Sequence, residues 1–115
     1  MFNYNESSTW SQKGYYNLGN EDNLNLTNGG MWGNETVGLG VQGSGGPTLE
    51  RQVIAGIDTQ DFYLGSFGVN PKPTNFTGLS GDSQDSYMTT LKAQNLIPSV
   101  TFGYSAGAQY RTKGP

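Results

Sequence analysis

A mainly β fold with one short helix is what this sequence predicts, on three observations. Two strand-length runs, Glu35 to Val41 and Leu49 to Ile57, flank the turn cluster Gln42-Gly43-Ser44-Gly45-Gly46-Pro47. Val100, Phe102 and Tyr104 alternate along Ser99 to Tyr104, the period of a half-buried strand. A single stretch near 86–95 sets apolar residues at helical spacing, with a capping residue before it and a proline after it.

From the N-terminus, Phe2 to Trp10 reads as irregular, with a helix start suggested at Ser7-Ser8-Thr9. Gly14 to Gly33 mixes Asn, Gly and single apolar anchors, which fits a loop or a hairpin of weak register, with Asn28-Gly29-Gly30 as its best turn. Thr36, Val37, Leu39 and Val41 then form one strand. Leu49 to Ile57 forms the second, antiparallel to it across the 42–47 turn. Phe62 to Val69 is compatible with a buried strand or a tight corner, and Tyr63, Phe67 and Tyr87 read as core aromatics. Pro71, Pro73, Gly78 and Gly81 punctuate a loop. Asp85 or Ser86 caps the helix, Tyr87, Met88 and Leu91 make its apolar stripe, and Asn95 and Pro98 end it. No internal repeat or boundary divides the chain, so 1–115 is read as one domain or part of one.

Composition narrows the function. Aliphatic and aromatic residues make up 33% of the chain, so the core is small, and 18 glycines add conformational entropy that folding must overcome. Six Lys and Arg residues, spread singly, leave no electrostatic footprint for nucleic acid. No apolar run is long enough for a membrane span. Histidine and cysteine are both absent. Ser-His-Asp and Cys-His catalysis are thereby excluded, as are thiolate and imidazole metal sites. The close acidic pairs, Asp82 with Asp85 and Glu21 with Asp22, lack the ligand spacing of a Ca²⁺ loop and read as loop or cap residues; no metal and no cofactor is expected. Four Asn-x-Ser/Thr sequons, at Asn5, Asn25, Asn34 and Asn75, lean towards a secretory history. Met1 to Glu6 has neither the basic nor the apolar region of a signal peptide, which raises the expectation of a longer parent.

Three collinear segments carry a resemblance. Phe2-Asn3-Tyr4-Asn5-Glu6-Ser7-Ser8-Thr9-Trp10 is similar to a "F-x-P-x-x-S-S-T-[FY]" stretch. Glu35-Thr36-Val37-Gly38-Leu39-Gly40 is similar to "D-T-V-x-[VL]-G", and Gln52 to Ile57 to the strand that pairs with it. Phe62 to Val69 stands where "F-D-G-I-L-G-L" occurs. Tyr87 to Ile97 is similar to "F-x-x-L-x-x-Q-x-L-I", and Val100-Thr101-Phe102-Gly103-Tyr104 to "F-S-x-Y-L". In this order and spacing they resemble the N-terminal lobe of the pepsin-like aspartic endopeptidases. Asn70 to Phe76 and Tyr104 to Ala108 resemble the fungal secreted members in particular.

The resemblance implies a partial pepsin-like lobe and, in a full-length parent, hydrolysis of polypeptide substrates outside the cell. It also implies a substrate-covering flap. An ungapped match from Thr36-Val37 places Asn23 at the flap tyrosine, and Tyr15 or Tyr16 take that role if the flap carries an insertion. Tyr15, Tyr16, Met31 and Trp32 are the candidate flap and cleft residues. The family's chemistry needs two Asp-Thr/Ser-Gly motifs, whose aspartates share a proton and activate a water. Neither motif is in this sequence: Asp58-Thr59 is followed by Gln60, and it ends a strand. No catalytic residue is therefore assigned, and the chain by itself is expected to be inactive. The alternative reading is a secreted or surface glycoprotein, not an enzyme, that reuses half of the fold for binding. Strand edges left uncovered are expected to favour self-association.

Overall fold

The computed structural model describes residues 2–17, 29–57, 65, 67–75 and 83–107. Its main element is a three-stranded antiparallel sheet in the order β1-β2-β3, with β1 at Ser11–Asn17, β2 at Gly29–Gly38 and β3 at Thr48–Ile57. A 3₁₀ turn, Tyr4–Glu6, precedes it. Two short strands, β4 (Thr74–Asn75) and β5 (Ser83–Gln84), pair with each other, and helix α1 covers Tyr87–Ala93. The regular structure among the described residues is thus mainly strand, with one short helix, as the sequence predicts.

The β2–β3 hairpin forms across the predicted turn. Leu39 N–H bonds the Pro47 carbonyl at 3.3 Å and Ser44 N–H the Val41 carbonyl at 2.9 Å. Gly43, third residue of that four-residue turn, has φ +85°, a conformation that a type II turn demands and a side chain resists. Between the pairs Glu35–Gln52 and Val37–Leu49, Glu50 and Arg51 together face Thr36 alone, and Arg51 takes φ 57°. This bulge resets the alternation of β3, so Leu49 and Gln52 emerge on the same face. A second irregularity, between Gln12 and Gly14, leaves Lys13 as the extra residue of β1.

Helix α1 is too short to persist without packing. Ser86 caps it by accepting from Thr89 N–H at 3.1 Å. At the other end Asn95, at φ 58°, closes a Schellman motif: Leu96 N–H reaches the Leu91 carbonyl at 2.9 Å and Asn95 N–H the Lys92 carbonyl at 3.1 Å. Lys92 Nζ adds a bond to the Pro98 carbonyl at 2.8 Å. Tyr87, Met88 and Leu91 pack with Leu49 into the core, and Val37, Ile97 and Val100 flank it. The Gln94 side chain joins helix to sheet by bonding both backbone groups of Glu50, Oε1 accepting from N–H at 3.3 Å and Nε2 donating to C=O at 2.8 Å. It occupies the place of a neighbouring strand at that point of the β3 edge.

Five expectations are corrected. The strand expected over Glu35 to Val41 is Gly29–Gly38, so Leu39 and Val41 lie exposed beyond its end. Gly29 and Gly30 lie inside β2, paired with Asn17 and Tyr16, rather than in a turn. Residues 99–104 are not a strand: 101–107 lack regular structure, and Phe102 and Tyr104 are exposed. Alternation alone does not make a strand, and among the described residues no strand pairs with this one. Residues 67–69 are likewise irregular, and Phe67 is exposed, although its ring meets that of Tyr87 edge-on at 4.8 Å. Helical turn begins at Tyr4 rather than at Ser7. Tyr63, Asn23, Asn25, Glu21, Asp22, Asp58 and Asp82 lie outside the described residues.

The left-handed geometry of Asn95 leads to a direct test. Asn95→Ala is expected to destabilise the fold by about 1 kcal/mol, and Asn95→Gly to leave it unchanged or slightly more stable. Urea midpoints of the two variants check this.

Candidate functional site

Alternation within β2 sets Met31, Gly33, Glu35 and Val37 on one face and Gly30, Trp32, Asn34 and Thr36 on the other. Register carries the first face outward. Tyr15 lies opposite Met31, Gln12 and Ile54 opposite Gly33, Gln52 opposite Glu35, and Leu49 opposite Val37. The four candidate flap residues therefore divide. Tyr15 and Met31 form a cross-strand pair on the core-bearing face. Trp32 belongs to the opposite face, where its indole Nε1 donates to the Tyr16 carbonyl at 3.2 Å. Tyr15 is exposed, whereas Tyr16, Met31 and Trp32 are half-buried. They are brought together on one hairpin, but not into one pocket.

The N-terminal segment folds back over the core-bearing face. The Trp10 ring sits so close to Gly33 that a Cβ there would lie 2.4 Å from ring carbon Cζ2. Only glycine leaves room for that approach. Tyr4 stacks on Trp10 with centroids 5.3 Å apart, and Phe2 meets it at 6.1 Å. Tyr4 also lies beside Gly56, and the Tyr15 ring beside Gly29. A row of aromatic rings thus seats over the glycines of β2 and β3.

Beneath this segment lies Glu35, only 4% exposed. A buried carboxylate is tolerable when donors replace its water. Here Ser7 Oγ donates at 2.5 Å, Thr9 Oγ1 donates to the second carboxylate oxygen, and Thr36 N–H donates at 2.7 Å. Burial by itself pushes the Glu35 carboxyl up, but the bonds from Ser7, Thr9 and Thr36 outweigh it and hold the group below its ordinary value of 4.5. Opposite it stands Gln52, 5% exposed, whose Nε2 donates to the Val53 carbonyl while its Oε1 is buried without a partner. Trp10 Nε1 and the Tyr87 hydroxyl are also buried without partners, and burial raises the Tyr87 pKa.

The sequons fall in different settings. Asn5 is exposed in the 3₁₀ turn. Asn34 is half-buried in the central strand, paired with Ser11 and Val53, and lines a polar cleft of about 330 Å³ with Lys13, Arg51, Asp85 and Gln94. Asn75 stands in β4. Among the described residues no group of acidic side chains gathers as a metal site, and no helix is long and apolar enough to cross a membrane.

Sequence reasoning took Glu35 as the start of a strand and missed it as the centre of this arrangement. The available signal was its position two residues before Val37, which places a carboxylate on the same face as a core residue. No protein-family model, curated protein or solved structure matches the chain.

Gly33→Ala is expected to cost about 1–3 kcal/mol, because the new methyl group meets the Trp10 indole. Trp10→Leu removes the obstacle, so the double variant should be markedly less destabilised than the two single costs added together. Chemical denaturation of all three reads this.

Proposed function

We propose that the chain is part of the N-terminal lobe of a pepsin-like aspartic endopeptidase of the fungal secreted type. In this reading it supplies the flap-like hairpin beside a polypeptide substrate and not the catalytic aspartates. The supporting observation is that two segments chosen by sequence resemblance meet in space. Ser7 and Thr9, from the "S-S-T" stretch, both bond Glu35, which leads the Glu35-Thr36-Val37 stretch. They are separated by 28 and 26 residues, so nothing local forces the meeting.

The chemical role follows from what the hairpin carries. Tyr15 is an exposed aromatic ring on the strand pair β1–β2, backed by Met31 opposite it. A ring with a polar tip can pack against an extended peptide and hydrogen-bond to its backbone. Hydrolysis by the aspartic-peptidase mechanism requires a water held between two carboxylates of divided pKa, which Asp-Thr/Ser-Gly motifs would supply. With neither motif in the sequence, and without histidine or cysteine, this chain has no substitute for them. The sequons, among them exposed Asn5, suit a secreted protein.

Two cleavage assays at acid pH, each with a pepstatin-type control, test the reading. The 115-residue chain should leave a denatured protein uncut. The chain expressed together with whatever its transcript encodes on either side should cut it, sensitively to pepstatin. Flanking sequence without an Asp-Thr/Ser-Gly motif would contradict the reading and favour the binding glycoprotein. Pepstatin-sensitive cleavage by the 115-residue chain would contradict the assignment of no catalytic residue.

A further inference from the structure

Among the described residues, every hydrogen bond from 2–9 to the sheet ends on Glu35. Both Ser7 and Thr9 are donors there, and a charged carboxylate is an acceptor about twice as strong as a neutral one. Directly across the strand pair stands Gln52, on the same face, with Cβ atoms of such pairs about 4.5–5.5 Å apart. Its Nε2 is committed to the Val53 carbonyl, which leaves Oε1 as the end without a partner. That oxygen has no use for ionised Glu35, since both are acceptors. It suits a protonated Glu35, which carries an O–H to donate.

We propose that Glu35 is a proton-operated latch that holds the 2–10 segment on the sheet while ionised and transfers its hydrogen bonding to Gln52 Oε1 when protonated, releasing that segment. The proton comes from solvent and remains on Glu35, which donates it to the amide oxygen. Ser7 and Thr9 lose their charged acceptor and turn to water. Trp10 and Tyr4 then keep only their packing against the sheet, which does not hold the segment in place without the hydrogen bonds to Glu35. The titratable or charged groups on the elements packed beside Glu35 are Tyr4, Glu6, Lys13, Tyr15, Tyr16, Glu50, Arg51, Tyr87 and Lys92. None of them is a hydrogen-bond partner of Glu35, so its own titration sets the latch.

The direction in pH follows from the depressed carboxyl. A group whose folded pKa lies below its unfolded value contributes fully above the unfolded value and loses that contribution as pH falls through the folded one. The latch therefore holds at neutral pH and opens below 4.5, the ordinary value for this carboxyl. It does not depend on the peptidase reading, because the same contacts operate in a binding protein.

Titration of the intact chain by NMR tests it. The Glu35 side-chain carboxyl carbon, the Ser7 and Thr9 amides, the Trp10 indole and the Gln52 side-chain amide are expected to change together, with one midpoint below 4.5. Gln52→Met keeps the length of the side chain and removes the acceptor for the proton. It should lower that midpoint by about half a pH unit or more. An unchanged midpoint in Gln52→Met would overturn the proposal. So would a Trp10 indole signal that stays unchanged after Glu35 has titrated.

Discussion

A carboxylate cannot enter the interior of a small β-sheet unless hydrogen-bond donors come with it, and at Glu35 that requirement organises the described structure. Thr36 N–H, at the bulge, is the one strand backbone group that bonds it, and the remaining donors must approach from above the sheet. Ser7 and Thr9 meet the need, and in doing so they bring the N-terminal segment across the core-bearing face. Trp10 and Tyr4 then land on Gly33 and Gly56, positions where a missing side chain lets a ring approach the backbone. The electrostatic need of one residue and the shape of two glycines point to the same path for the chain. Agreement of this kind between local demands is what gives a sequence a single fold.

The far end of the sheet uses a different device. Apolar packing around Leu49 is modest, and helix α1 has seven residues. The bulge at Glu50 and Arg51 turns Leu49 toward the helix while keeping Gln52 beside Glu35. Gln94 then fixes the helix by standing in for a strand at Glu50. With polar contacts at both ends and few buried aliphatic side chains, the structure relies on hydrogen bonds placed on particular residues. Loss of one of those should be felt more than loss of an exposed apolar side chain.

Much of this architecture was legible in the sequence wherever a local signal had a local cause. The hairpin across 42–47 follows from its glycines and Pro47, and the helix from Ser86, the Tyr87 and Leu91 stripe and Asn95. Such features are decided within a few residues. What could not be read depends on partners far along the chain. Alternation at Val100, Phe102 and Tyr104 resembled a strand, yet a strand needs a neighbour, and sequence does not say which. Gly29 and Gly30 looked like a turn because glycine permits one, whereas here they continue β2. Glu35 gave no sign of its donors, because two hydroxyls more than 25 residues away have no signature in composition or period. The four candidate residues share one pair of strands, but their division between two faces depends on register, which the irregularity at Lys13 shifts.

The arrangement links a buried anion to an exposed aromatic hairpin through one strand: β2 carries Glu35 and, four residues earlier, Met31 opposite Tyr15. Whatever lies against Tyr15 rests on a sheet whose covering segment is tied down at Glu35. A double-mutant cycle between Thr9→Val and Glu35→Gln measures that tie most directly. Stability of both single variants and of the double variant at neutral pH should give a coupling of about 1.5–3 kcal/mol, the range for a hydrogen bond to a charged group. Costs that simply add, with no coupling between Thr9 and Glu35, would contradict the view that this carboxylate holds the N-terminal segment in place.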